Sequence, residues 1–200
     1  IMMALNIMLP QLLPGEWLAA HRLLNLDGMS EGVQVVLGVL LISFVDYVYH
    51  RSEHAFHWMW RWSHQVHHRS LRVDMSGAFY TSPVEISAAV LYSVLPLVLL
   101  GFSADSASIA GFLLAFASMF QHWNISTPRW IGYFIQRPES HCLHHEYGVH
   151  ARNYSTFPPW DMLFGSFENP ESFKGRVGFD EALSKKLFAM LGGRDVLTDA

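Results

Sequence analysis

Charge is scarce in this 200-residue chain: Asp, Glu, Lys and Arg make up 15% of it, against about a quarter in a typical soluble domain. With 51% hydrophobic residues and a mean hydropathy of +0.19, that scarcity argues against an ordinary water-soluble fold. No basic run occurs and the net charge is −4, so the chain lacks the electrostatic footprint of a nucleic-acid binder. A single cysteine, Cys142, excludes an intrachain disulfide. No G-x-G-x-x-G or G-x-x-x-x-G-K-[ST] pattern is present, so no nicotinamide, flavin or P-loop nucleotide site is expected. The chain opens on Ile1 rather than Met, and residues upstream of it are expected.

Long apolar runs and histidines are plentiful. Residues 32–49, 83–102 and 105–123 are each near the roughly 20 helical residues that cross a bilayer core. A weaker fourth span is expected near residues 2–20. Pro83 opens the second run, where its missing N–H costs nothing, and Pro96 inside it predicts a bend. Only Ser103 and Ala104 separate the second and third runs, so a tight hairpin is expected. The reading is all-α: a multi-pass transmembrane bundle of about four spans, one domain over residues 1–200.

Parity of the spans puts residues 50–82 and 123–200 on one side of the membrane. Every Lys and Arg except Arg22 falls in those stretches, which makes that side cytoplasmic by the positive-inside rule. Trp58, Trp60, Trp62, Trp123 and Trp130 crowd the same boundary, as an interfacial aromatic belt does. The expected location is therefore an integral membrane protein of a bacterial inner membrane or endoplasmic reticulum, with its histidines on the cytoplasmic face. Of 12 histidines, only His21 lies elsewhere. Scattered interfacial histidines would not be so one-sided.

Three groups carry ligand spacing. His50 and His54 form H-x3-H, one helical turn apart on one face, and His57 extends that face. His64, His67 and His68 form H-x2-HH, and His141, His144 and His145 repeat it. On a helix such a triad spans an arc of about 100°, so all three rings can point one way. Ser140 is expected to cap the second triad's helix and Gly148 to end it. His122 stands at the inner end of the third run, where an ionisable residue is a functional candidate. Eight or nine clustered imidazoles exceed the needs of one ion, and two ions with four or five ligands each would absorb them. Imidazole suits Zn, Cu, Fe and Ni alike. A structural zinc would need only four ligands, so a two-metal redox centre is the better reading. Ligating histidines usually pass their second N–H to a carboxylate or carbonyl. Asp46, Glu53, Glu146 and Asp161 are candidates, with Glu85 a weaker one, although each taken alone reads first as a solvated or capping charge.

In order along the chain, Asp46-Tyr47-Val48-Tyr49-His50-Arg51, His54, Trp60, His64, His67-His68 and Phe120-Gln121-His122-Trp123-Asn124 form a recognisable set. Pro138, His141, His144-His145, Asn153-Tyr154 and Trp160-Asp161 through Phe164-Gly165-Ser166-Phe167 complete it. Over a core of residues 46–167 the chain resembles the fatty acid hydroxylase/sterol desaturase superfamily, with 170–200 left as a C-terminal amphipathic tail. The resemblance implies a four-helix membrane fold with a cytoplasmic helical cap and a di-iron centre. Its ligands would be His50, His54, His64, His67, His68, His122, His141, His144 and His145, with His57 or His150 as a tenth. Asp46, Asn124 and Asp161 would support them. It also implies O2-dependent hydroxylation or desaturation of a lipid C–H bond, the lipid being an acyl chain, a sterol or a carotenoid. Electrons would come from a separate ferredoxin, cytochrome b5 or reductase. Arg137 and Ser155 depart from the family pattern, which often has Thr before the Pro and Gly after Asn-Tyr.

Three other readings fit less well. An intramembrane zinc protease would need H-E-x2-H, whereas His145-Glu146 and His150 are spaced H-E-x3-H. A metal carrier would string ligands along the spans, and a bis-histidine haem site would leave most histidines without a role. Residues 181–191 form an amphipathic pattern suited to the membrane surface, or to packing on the chain's own domain, and 192–200 are expected to be loose.

Overall fold

The computed structural model describes residues 8–26, 28–93 and 95–198. Among them the chain is helical and holds no strand; Glu146 and Val177 form an isolated antiparallel bridge. Two helices are long and apolar enough to cross a membrane. Glu31–Ala55 has 25 residues and a mean hydropathy of 1.8; Pro83–Leu100 has 18 residues and 1.9. The core helix of a soluble protein hides such a surface, yet only 28% and 24% of these two are buried. Val33, Val36, Leu37 and Leu40 lie exposed along the first. So much uncovered apolar side chain suits a hydrocarbon solvent better than water. The third apolar helix, Ala104–Phe120, has 17 residues and leaves Ile109, Phe112 and Phe116 exposed.

Of the fourth run expected near residues 2–20, residues 2–7 lie outside the described residues. The rest is two short helical pieces, residues 8–12 and Gly15–His21, parted at Leu13 and Pro14. Proline lacks the N–H that would continue the first piece, which accounts for the break.

The chain divides into two compact units, Ile1–Asp46 with Ser87–Phe116, and Tyr47–Ile86 with Ala117–Ala200. In the first, Gly38 lets Ala110 and Leu97 approach closely around a core of Ile42, Leu97, Ala107 and Ala110. Buried Gln34 accepts the Ser103 N–H at 2.9 Å and donates to the Met29 carbonyl at 3.1 Å, tying the hairpin turn to the start of the long helix. The turn itself is short. Leu95–Leu100 ends with Phe102 N–H on the Leu97 carbonyl and Gly101 N–H on the Val98 carbonyl, a Schellman ending. Gly101 sits at φ +99°, where its missing Cβ also makes room for the Leu24 carbonyl.

In the second unit a helical stretch runs from His57 to His68 with one π turn, Trp60–His64, in its middle. The C-terminal tail packs behind it. The expected single helix over 181–191 is instead two short ones, Glu181–Ser184 and Leu187–Leu191, separated by Lys185 and Lys186. Met190 and Val196 are buried with Trp60, Val66 and Phe179, so the apolar stripe closes this unit's own core. Nor are residues 192–198 loose, the last two of the expected loose stretch lying outside the described residues: Asp195 and Val196 are buried, and fully buried Gln65 donates to the Arg194 carbonyl at 2.7 Å.

Replacing Gly101 with Ala forces a side chain into the left-handed region and against the Leu24 carbonyl, and should cost about 1–3 kcal/mol. Gly32→Ala, in open space on a helix, should leave stability unchanged or slightly raised. Thermal unfolding in detergent micelles compares the two; equal midpoints would refute the role given to Gly101.

Candidate metal centre

The last turns of Glu31–Ala55 carry His50 and His54; the 57–68 stretch carries His64, His67 and His68. His122 follows Ala104–Phe120, and the short helix Pro138–His144 brings His141 and His144, with His145 as its cap residue. Pro138 starts that helix at a position needing no N–H, and the residue before it, Arg137, is its N-cap. Ser140 therefore lies inside the helix, with a buried hydroxyl that has no hydrogen-bond partner, and does not cap it. Gly148 falls in the following turn at φ +74°, after the helix has closed at His145.

These nine imidazoles form two groups. His50, His54, His64, His68 and His144 make one; His67, His122, His141 and His145 make the other, and in each the potential ligand atoms lie within 4.8 Å of one another. Each H-x2-HH triad is thus divided rather than pointed one way. The i, i+4 pairs His64/His68 and His141/His145 stay together, while His67 and His144 cross to the opposite group. Adjacent residues on a helix differ by about 100°, too far for both rings to reach one point.

The outward nitrogens show what the inward ones must be. His122 Nδ1 donates to the Ser118 carbonyl at 2.8 Å and His67 Nδ1 to the Tyr80 carbonyl at 3.2 Å. His144 Nδ1 donates to the Arg152 carbonyl at 2.7 Å, and His50 Nδ1 to that of Tyr154. His64 Nδ1 faces Glu85 at 2.8 Å and Glu53 at 3.4 Å. A carbonyl or carboxylate oxygen only accepts, so these Nδ1 atoms hold the protons and each neutral ring's Nε2 is a bare lone pair. Those lone pairs face one another: His67 and His122 Nε2 are 3.2 Å apart, and His50 and His64 Nε2 are 2.9 Å apart. His68 and His64 Nε2 are 3.0 Å apart, as are those of His141 and His122. Buried lone pairs so placed repel unless a cation lies between them. Two nitrogens about 2.1 Å from one ion and about 90° apart are about 3.0 Å from each other, so the spacing fits a shared first-row metal ion. His54 and His144 Nε2 are buried without a hydrogen-bond partner, an arrangement expected of ligands and costly otherwise.

Burial also keeps the rings neutral. It lowers His64, His67, His68, His141, His144 and His145, with neighbouring rings adding to the effect in most of them.

The supporting candidates fall differently. Glu53 and Glu85 are carboxylates at a ring nitrogen of the first group, that of His64; Glu53 also receives the Ser63 hydroxyl and Glu85 that of Thr81. Asp46 receives the Tyr92 hydroxyl at 2.8 Å. Buried Asp161 accepts the backbone N–H groups of Tyr154 at 2.9 Å and Ser155 at 2.7 Å, so it holds the loop whose carbonyl meets His50. Asn124 is exposed and lines an open cleft with Arg72 and Cys142. Glu146 pairs with Arg152 at 3.9 Å. Of the two candidates for a tenth ligand, His57 bonds Asp195 at 2.9 Å, outside both groups. His150 Nδ1 lies 3.0 Å from His68 Nδ1, on the outward side of that ring. Arg137 is fully buried, donating to Thr127, Asn169 and Pro170 and pairing with Glu139 at 3.0 Å.

Rings such as His68, His141 and His144, held neutral in the fold but protonated near 6.5 when unfolded, favour the fold above that pH and lose this contribution as pH falls. Metal-free protein in detergent should therefore unfold at steadily lower temperature as pH drops from 7.5 to 5. A flat profile would contradict a buried, neutral histidine set.

Residues 35–166 match the family described as fatty acid hydroxylase. An ornithine lipid hydroxylase of Rhizobium tropici is 29% identical over 150 residues, covering 72% of this chain and 44% of that protein. The chain thus spans less than half the length of that relative. No solved structure matches the chain. With the family's region covering more than half of its residues and both histidine groups built from it, this chain belongs to the fatty acid hydroxylase family.

Proposed function

We propose that this protein is a multi-pass membrane enzyme that binds two iron ions in its two histidine groups and uses O2 to hydroxylate a lipid. The observation that carries the reading is the set of inward Nε2 lone pairs, 2.9–3.2 Å apart, on rings whose Nδ1 protons are committed to oxygen acceptors. Such a donor set asks for cations. Nine nitrogens in groups of five and four ask for two. The family match and the lipid hydroxylase relative support hydroxylation of a lipid.

Bound there, the iron pair supplies the oxidising power that acid–base groups lack against an unactivated C–H bond. The chain's own part is to hold, orient and enclose. His50, His54, His64, His68 and His144 would hold one ion, and His67, His122, His141 and His145 the other. The backing oxygens of Tyr80, Ser118, Arg152, Tyr154 and Glu85 fix each ring's tautomer, so Nε2 is ready to bind without first releasing a proton. Burial of all but His50 and His54 keeps bulk water from the rings.

The topology we propose has about four spans, with residues 50–82 and 123–200 forming a cytoplasmic helical cap within a single domain. Every Lys and Arg but Arg22 lies in those stretches. The substrate would enter from the bilayer, and the R. tropici relative makes ornithine lipid the first one to try. Electrons would come from a separate ferredoxin, cytochrome b5 or reductase. Desaturation would use the same ligand set and a similar donor.

Protein purified under iron-retaining conditions should hold two ions per chain. His67→Ala and His144→Ala, which strike different groups, should each lower metal content and abolish activity. Lipid extracts of cells with and without the protein, grown under 18O2, identify the reaction. A hydroxylase leaves a product carrying the label; a desaturase leaves an unlabelled lipid two hydrogens lighter. One ion per chain, or full activity in both variants, would overturn the two-iron reading.

A further inference from the structure

Residues 150–154 are the most strained stretch of backbone in the second unit. His150, Arg152 and Asn153 all have positive φ, at 44°, 70° and 45°, a region that non-glycine residues seldom enter. Strain of this kind persists only when the surroundings impose it. The surroundings here are specific. Buried Asp161 takes the N–H groups of Tyr154 and Ser155 on its two carboxylate oxygens. The Ser166 hydroxyl steadies that carboxylate at 2.7 Å, and the Ser166 carbonyl accepts Asn153 N–H at 2.9 Å.

What the strained stretch offers in return is directed at one histidine group. The Arg152 carbonyl receives His144 Nδ1 and the Tyr154 carbonyl receives His50 Nδ1. The His150 backbone bonds His54, and the His150 ring meets His68 Nδ1 at 3.0 Å. Four of the five rings in that group are therefore backed by five consecutive residues; the fifth, His64, is backed by Glu85 and Glu53. The other group draws on different parts of the chain: Tyr80, Ser118 and the Gln136 side chain.

We infer that Asp161 is a positioning residue for one metal ion only: by pinning the 150–154 strap it sets the five-histidine position and leaves the four-histidine position intact. The inference rests on the two-ion reading above. Asp161 is the right handle because its neighbours are not selective. Asn153 Nδ2 also bonds the Ser140 carbonyl on the helix that carries His141, and Gln136 touches both His141 and the Asn153 carbonyl. Asp161→Asn replaces one acceptor oxygen with an NH2 that faces a backbone N–H, so one strap bond is lost and nothing is removed from either group.

The test is anaerobic titration of metal-free full-length chain in detergent with Fe(II), counting ions per chain, with circular dichroism and gel filtration to confirm the fold. Wild type should bind two ions and D161N one. The double variants show which one is lost. D161N/H144A should still bind one, because both changes strike the same position, whereas D161N/H67A should bind none. If D161N binds two or loses both, or if D161N/H67A retains one, the inference falls. If wild type binds fewer than two, the two-ion reading fails instead. Should D161N not fold, Ser166→Ala is the milder handle. It should weaken one ion by about tenfold, as loss of an outer support does, while the other keeps its affinity; equal weakening of both would overturn the inference.

Discussion

Everything in the second unit is arranged around proton placement on imidazole. A histidine ring in water interchanges its tautomers freely and can take a second proton near neutral pH. In this protein oxygen atoms that can only accept hold the Nδ1 proton of His50, His64, His67, His122 and His144, and burial opposes a second proton on rings such as His64 and His144. The ring is left with one bare nitrogen, aimed inward. Repeated from several directions, this produces two concentrations of lone pairs that only cations relieve. The folded chain thus carries an electrostatic cost that a bound cation would cancel.

The sequence showed the clustering histidines more readily than the groups that back them. Histidines spaced by three and four residues announce themselves because ligation needs particular side chains at particular helical offsets. The all-helical fold was equally legible, since apolar runs of the right length have few other uses. The division of each triad between two groups was not, because an arc of about 100° can be read as one face or two. Nor were most of the supports: the carbonyls of Tyr80, Ser118, Arg152 and Tyr154 carry no signature of residue type. Glu85, the weakest carboxylate candidate by position, meets His64 at 2.8 Å, whereas Asp161 works one step further out, through a loop. The tail was legible in part: its stripe packs on the chain's own domain, one of the two readings it allowed, but not as one helix. The apolar stripe is visible in sequence, but the helix is interrupted at Lys185 and Lys186, and Trp60 and Val66, with which Met190 is buried, lie more than a hundred residues earlier.

The departures from the family pattern also acquire physical content. Arg137 is no surface charge: it is buried against Thr127, Asn169 and Glu139 at the start of the helix that bears His141 and His144. A buried guanidinium is tolerated only with its donors satisfied, and here four residues satisfy it. Gly132 completes the arrangement, since any side chain there would strike Asn169 and the Arg137 methylenes. Ser155 donates its hydroxyl to the Phe157 carbonyl at 2.6 Å, stiffening the turn that leads into Pro159–Phe164.

Gln65 sits between ligand positions, fully buried, with its amide fastened to the Arg194 carbonyl and within 3.4 Å of the Val196 N–H. Ribosomes make chains from the amino end, so the stretch bearing His64, His67 and His68 is synthesised, and its flanking apolar helices can enter the bilayer, well before its backing exists. Completion of the centre must wait until residues 194–196 have been translated. The order of events is then built into the chain: its long apolar helices are made first, and the stretch bearing these histidines is closed last.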